Sequence, residues 1–102
     1  MHDVVLKRLR ELVRTHRDVL TAHGQEEMES DSLTVLDLEH CILTGHVVER
    51  QRDRIRRGWK YLVRGESVQG GSTVTVAKIG PGGTLVVITV YADSASEADD
   101  DL

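Results

Sequence analysis

The sequence predicts an α+β domain in which N-terminal helices pack on one face of a roughly four-stranded antiparallel sheet. Residues 1–45 carry apolar stripes with helical spacing, whereas the later residues form four segments rich in Val, Thr, Ile and aromatic side chains. Turn residues, mostly Gly, separate these segments. Helices followed by strands are typical of α+β domains. The length of 102 residues fits one domain, which we expect over residues 1–92.

The first helix is predicted from Asp3 to about Arg17, with Asp3 as its N-cap. Its other face is mostly Lys and Arg. The apolar positions recur with helical spacing and form one stripe: Val5, Leu6, Leu9, Leu12 and Val13. Such a stripe is typical of a helix that covers a core.

A second helix is predicted from Val35 to Thr44. Thr34 and Asp37 have the spacing of a capping box, with Asp in place of Glu, and Gly45 ends the pattern. Before it, residues 18–24 are too short for a helix, and the Glu-rich residues 25–30 indicate a short helical turn.

Four strands are predicted, at residues 46–53, 59–65, 73–79 and 84–91, and short connections make them an antiparallel meander. The last strand is apolar on both faces, which favours a place inside the sheet. The turn at residues 80–84 lacks the Gly-Lys-Ser/Thr ending of a phosphate loop and leads into a strand, so it is interpreted as a hairpin. Residues 93–102 are too polar to bury much surface and are predicted to form a disordered acidic tail.

Composition excludes several classes of protein. A single cysteine cannot form an internal disulfide, and the chain opens on no basic-then-apolar leader, so a cytoplasmic location is expected. No apolar run approaches the roughly 20 residues that span a bilayer, so no membrane partner is expected. The formal net charge is −4, but five of the seventeen acids lie in the predicted tail. The remaining residues carry thirteen basic and twelve acidic groups.

The basic side chains cluster in one segment, which is the candidate nucleic-acid contact. In a strand, Arg50 and Arg52 point to the same face, and Arg54 would follow them if the strand continued. Such a row suits a phosphate backbone; the alternative is a solvated edge strand that resists aggregation. Trp59, Tyr61 and Tyr91 are candidates for stacking on unpaired bases, or else for packing. The basic residues of the segment are Arg50, Arg52, Arg54, Arg56, Arg57, Lys60 and Arg64.

Several motifs resemble a bacterial family of unknown function. Residues 23–28, His-Gly-Gln-Glu-Glu-Met, resemble its His-Ala-x-x-Arg-Met opening, with Glu27 where the family usually has Arg. A helix ending in Leu-Thr-Gly at residues 43–45 and followed by Val-Val-Glu at 47–49 gives the middle match. The closing match consists of Lys60-Tyr61 and of the strand that ends in Ile-Thr-Val-Tyr at residues 88–91. The resemblance covers roughly residues 19 to 92.

Members of this family are similar to the BrnT and RelE type toxins, and the resemblance implies a fold, a partner and an activity. The fold is a small α+β domain whose sheet holds messenger RNA, and the partner is an antitoxin protein, zinc-finger-like or other. The activity is a candidate metal-independent endoribonuclease that needs no cofactor.

Metal-independent RNA cleavage requires a base, an acid and cations for the phosphorane charge. His23 is the candidate base or acid, Lys60 a candidate cation, and Tyr91 a candidate proton donor or phosphate contact. The alternatives are that His23 caps the following turn and that the Tyr91 ring closes the core. His40, Cys41 and His46 lack a second ligand pair with zinc-finger spacing, so no metal site is expected.

Three classes of function therefore stay open. The first is a RelE-like toxin with ribonuclease activity, which requires His23, the arginine row and Tyr91 to converge in one cleft. The second is a non-catalytic module that binds RNA or a protein through the same basic face. The third is a homo-oligomer that assembles through an exposed sheet edge.

Overall fold

A computed structural model describes residues 2–55 and 57–93 of the chain. The described residues form three α-helices, namely α1 (Asp3–Arg14), α2 (Ala22–Ser30) and α3 (Val35–Thr44). They also form five strands, namely β1 (Asp18–Leu20), β2 (His46–Arg52), β3 (Trp59–Glu66), β4 (Ser72–Ile79) and β5 (Leu85–Ala92). None of the helices in this part of the chain is long and apolar enough to cross a membrane.

The sheet has the order β1-β5-β4-β3-β2. Strands β2 to β5 form the predicted antiparallel meander, and β5 lies inside the sheet as expected. The prediction of four antiparallel strands was wrong in one respect, because β1 adds a fifth strand that runs parallel to β5. With only three residues, β1 is too short to show the alternation of a strand in the sequence. It covers an edge that β5 would otherwise expose.

The helices differ from their predictions mainly at their ends. Helix α1 is capped at His2 without a side-chain hydrogen bond and ends at Arg14, so Asp3 is its first helical residue and not its cap. Helix α2 is a full nine-residue helix where only a turn was predicted, because Thr21 accepts a hydrogen bond from the Gly24 amide and caps it. Helix α3 and its capping box are confirmed.

Helices α1 and α3 form the predicted layer on one face of the sheet, whereas α2 runs along the β5 edge and adds Met28 to the same core. Antiparallel partners share a face, and the register of β3, β4 and β5 places Val63, Ala77, Val87 and Val90 on the helix side. A β-bulge at Ile88 lets both Val87 and Val90 point inward although they are three positions apart. Leu9, Leu12, Leu38 and Ile42 cover these side chains and are at most 1% exposed. We call the other side of the sheet the open face.

Helix α3 approaches the sheet closely at two glycines. A Cβ atom on Gly45 would lie 2.3 Å from the Arg64 carbonyl oxygen, and one on Gly65 would lie 2.2 Å from the Cys41 carbonyl oxygen. Arg10 on α1 donates to the carbonyls of Ile42 and Gly45 at 3.1 and 2.8 Å, which satisfies the C-terminal end of α3.

Two of the sequence predictions fall outside the described residues. Arg56 belongs to the predicted basic segment, and residues 94–102 form all but the first position of the predicted acidic tail. Asp93, that first position, is described: its amide donates to the Ser72 carbonyl at 2.9 Å, and its carboxylate pairs with Arg64 at 3.0 Å.

Candidate functional site

The loop between β2 and β3 encloses a groove on the open face, with a volume of about 320 Å³. We call this the loop groove. Its walls come from the start of α2, from the loop itself and from the open-face side chains of β3, β4 and β5. The lining residues are Thr21, His23, Asp53, Ile55, Lys60, Lys78, Val86 and Ile88.

A buried ion pair holds the loop in place. The Lys78 ammonium lies 2.7 Å from an Asp53 carboxylate oxygen, and the two side chains are only 8% and 11% exposed. Lys78 also donates to the Arg57 carbonyl at 3.0 Å, so it contacts both ends of the loop. Within the loop, the Asp53 amide donates to the Gly58 carbonyl and the Ile55 amide donates to the other Asp53 carboxylate oxygen. The loop is therefore anchored to the sheet rather than extended from it.

His23 lies at the rim of the loop groove, in the first turn of α2. Its side chain is 65% exposed, and Nε2 lies 3.7 Å from a Glu27 carboxylate oxygen one turn further along the helix. The cap of α2 is Thr21 and not His23, which removes one structural explanation for this histidine. The imidazole is available to a ligand in the groove.

Lys60 and His23 line the same groove, so the structure brings together two of the three predicted catalytic residues. The strand register determines the face on which Lys60 lies. Its partner Gln51 stands between Arg50 and Arg52 on β2, so alternation places Lys60 on the open face. Tyr91 also lies on the open face but does not line the groove. It is five positions along β5 from Val86, but the bulge makes these positions span four steps of β4, about 13 Å at the usual rise per residue. Tyr91 therefore lies apart from the His23–Lys60 pair.

The arginines divide between the loop and the two faces. Arg54 and Arg57 are exposed on the loop. Two clefts adjoin the loop groove, with volumes of about 510 and 500 Å³; Arg54 lines both of them, and Arg57 lines the second. Arg52 lines both of these clefts as well. Strand β2 ends at Arg52, so Arg54 does not continue a strand row.

Arg50 and Arg52 share a face, as predicted, but it is the face that carries the helices. Arg50 pairs with Tyr61 and Arg52 with Trp59 across the β2–β3 ladder. Both guanidinium groups lie over the Trp59 ring, 4.0 and 4.9 Å from its centroid. The Tyr61 ring makes an edge contact with His2 at the start of α1, which identifies this as the helix side.

Arg64 lies at the other end of the open face. It is four positions from Lys60 along β3, about 13 Å at the usual rise per residue. Its guanidinium pairs with Asp93, so part of its charge is used within the domain. The structure therefore does not bring the arginine row, His23 and Tyr91 together in one cleft, contrary to what the toxin hypothesis expected.

Six of the eight residues that line the loop groove were missed by sequence reasoning, among them Asp53, Ile55 and Lys78. Lys78 is the one charged residue of β4, and a lysine at an interior strand position is a signal of a buried partner. Ile55 is 94% exposed and stands among arginines, which is unusual for a large apolar side chain.

Cys41, which stands near His40 and His46 in the sequence, has a structural position in the core. Cys41 is fully buried, and its Sγ lies 3.6 Å from the Val63 carbonyl oxygen and 3.4 Å from that of Thr73. Burial raises the pKa of this thiol. Within residues 2–55 and 57–93, no group of three or more His, Cys, Asp or Glu side chains is arranged to hold a metal ion.

Comparison with known proteins places the loop groove within a recognised domain. Residues 20–92 match DUF4258, a domain of unknown function. The match includes every residue that lines the groove and leaves out α1. No curated protein and no solved structure matches the chain.

Proposed function

The chain belongs to the DUF4258 family, and we propose that it is an RNA-binding protein with metal-independent endoribonuclease activity, the toxin of a toxin–antitoxin system. The observation that carries this proposal is the position of His23 and Lys60 on one groove beneath a loop that carries arginines. The resemblance to BrnT and RelE type toxins supports the toxin assignment and the antitoxin partner.

The proposed reaction is cleavage by the ribose 2′-hydroxyl. The 2′-oxygen attacks the adjacent phosphorus, the bond from phosphorus to the 5′-oxygen breaks, and a 2′,3′-cyclic phosphate forms. His23 accepts the proton of the 2′-hydroxyl, and the leaving 5′-oxygen takes a proton from water. Glu27, 3.7 Å from the imidazole, stabilises the imidazolium that results. The Lys60 ammonium stabilises the negative charge that develops on the phosphorane.

RNA binding is expected to depend on the loop arginines more than on the Arg50–Arg52 pair. Each phosphate contact contributes about −0.7 to the slope of log affinity against log salt for a single strand. An Arg54→Ala, Arg57→Ala variant should therefore flatten the slope by about 1.4. The comparison variant is Arg50→Ala, Arg52→Ala, which removes the same charge from β2, where both guanidinium groups already lie over the Trp59 ring, and it should flatten the slope less. Equal slopes for both variants and the wild type would contradict phosphate binding at the loop.

Cleavage is tested on purified protein with a labelled single-stranded RNA in the presence of a chelator. We expect a 2′,3′-cyclic phosphate product from the wild type and its loss in His23→Ala and Lys60→Met. His16→Asn is the control, because it alters an exposed histidine on the α1–β1 turn and Asn tolerates the positive φ of 56° found there. Cleavage that survives in His23→Ala at the wild-type rate would reject the proposed chemistry.

A non-catalytic RNA-binding module is the second candidate function. It is favoured by one observation: among the described residues lining the loop groove, His23 is the only imidazole, and Tyr91 does not line the groove. Binding that follows the predicted salt slopes, without any cleavage product, would support this candidate. Inducible expression in bacteria separates the two further, since a ribonuclease toxin slows growth and degrades messenger RNA whereas a binding module leaves messenger RNA intact.

A further inference from the structure

The loop groove has apolar walls as well as basic ones. Ile55 is 94% exposed at the tip of the loop and lines one wall, while Val86 and Ile88 on β5 line the other. A large apolar side chain so exposed between arginines has no packing role in the domain itself. Because burial of apolar surface is favourable, such a side chain gains most when a ligand covers it.

The floor of the groove carries a net positive charge, because Asp53 offsets only one of its two lysines. Lys60 and Lys78 come from neighbouring strands, and Lys78 is more than nine-tenths buried with its ammonium tied to Asp53. His23 stands at the rim. A volume of about 320 Å³ is at the small end of the range for ligand pockets, which are mostly apolar with a few polar groups. An occupant with a flat apolar body and an attached anion matches both the walls and the floor.

We propose that the loop groove holds one unpaired nucleotide of an RNA strand, with the base between Ile55 and the Val86–Ile88 wall and the phosphate at Lys60 and His23. This inference rests on the RNA binding proposed above and adds the class of RNA: the protein selects single-stranded over double-stranded RNA. In a duplex each base is stacked and paired, so its apolar faces are closed to Ile55. In a single strand one base can leave the stack and enter the groove.

The inference is tested with Ile55→Ala. Because Ile55 is almost fully exposed in the free protein, the substitution leaves the fold intact. We expect affinity for a short labelled single-stranded RNA to fall about tenfold, from the loss of the apolar contact with the base. The salt slope should stay the same, because no charge is removed. Val4→Ala is the control, since Val4 is 86% exposed on α1, away from the groove.

Wild-type affinity is also compared between the single strand and its duplex, with methyl NMR as a second readout. We expect tighter binding of the single strand, and shifts of the Ile55, Val86 and Ile88 methyl signals on addition of the single strand but not of inorganic phosphate. If both RNAs bind equally and Ile55→Ala matches the wild type, the nucleotide site is wrong while RNA binding stands. If no RNA binds at any salt concentration, both proposals are overturned.

Discussion

Replacing Lys78 with Met is expected to destabilise the domain and release the loop that forms the groove. Met fills a similar volume but carries no charge, so the substitution removes the ammonium without opening a large cavity. Lys78 contacts the loop at the Asp53 carboxylate and the Arg57 carbonyl. Both of these anchors are lost together.

The expected loss of stability follows from the burial of the Lys78–Asp53 pair and from the distance between its charges. Removing one partner of a buried ion pair typically costs about 3–5 kcal/mol. The two side chains are 8% and 11% exposed and lie 2.7 Å apart, which makes this pair a buried one. We expect a loss of about 3 kcal/mol, the lower end, because a tenth of the surface of each group still reaches water. Domains of this size have a free energy of unfolding of roughly 5–15 kcal/mol, so the variant still folds.

The assay is urea denaturation of Lys78→Met beside Lys60→Met. Lys60 lines the same groove, yet it makes no ion pair with any described residue, so its substitution should change stability by less than about 0.5 kcal/mol. Hydrogen exchange provides the local readout: the amides of Asp53 and Ile55, which are bonded within the loop, should exchange faster in Lys78→Met.

The reasoning is tested further by Asp53→Asn and by the double variant with Lys78→Met. The double variant should be more stable than the sum of the two single losses predicts, because the second substitution removes the charge left by the first. Equal stability of Lys78→Met and Lys60→Met, with unchanged exchange in the loop, would show that the ion pair does not anchor the loop.

Two further predictions concern α3 and its attachment to the sheet. Hydrogen bonds from the Val68 and Thr34 amides lower the pKa of Asp37, so the carboxylate stabilises the fold above its ordinary pKa of 3.8 and this contribution is lost as pH falls through the lowered value. Asp37→Asn should therefore lower the free energy of unfolding, measured by urea denaturation, by about 1 kcal/mol at neutral pH and by progressively less below pH 4. A stability difference between variant and wild type that does not vary with pH would contradict the role of the charge. Gly65→Ala should lower the free energy of unfolding by about 2 kcal/mol or more, because its Cβ would meet the Cys41 carbonyl oxygen at 2.2 Å. The control is Gly71→Ala, where the nearest contact of the new Cβ is the Ser67 hydroxyl at 3.3 Å. Equal melting temperatures for the two variants would contradict the close approach of α3 at Gly65.

The parts of the fold that were predicted from sequence are those with a local signal. The capping box at Thr34 and Asp37 fixed the start of α3, and glycine-containing turns separated the strands of the meander. Strand β1 had no such signal, since its pairing partner β5 lies more than 60 positions away in the chain. The bulge at Ile88 was equally hidden, because inward spacing of three positions between Val87 and Val90 departs from strand alternation.

The candidate site was predicted only in part because its residues come from separate elements. His23 and Lys60 were named for their chemistry and for a resemblance, but their shared groove depends on the path of β1 and α2 along the edge of the sheet. The arginine row was predicted from alternation, which correctly placed Arg50 and Arg52 together. Alternation alone does not say which of the two faces the helices cover, and here they cover the arginine side.

Arg52 joins the two faces of the candidate interface. It lies over Trp59 on the helix side, yet it also lines the clefts beside the β2–β3 loop. Strand β2 is at the edge of the sheet, so no further strand separates the two faces there. In the proposed complex, a strand of RNA with a nucleotide in the loop groove would therefore continue over the loop to Arg52 and reach Arg50 around this edge. The net charge of −4 does not oppose this path, because the basic groups that line it are concentrated at one end of the sheet.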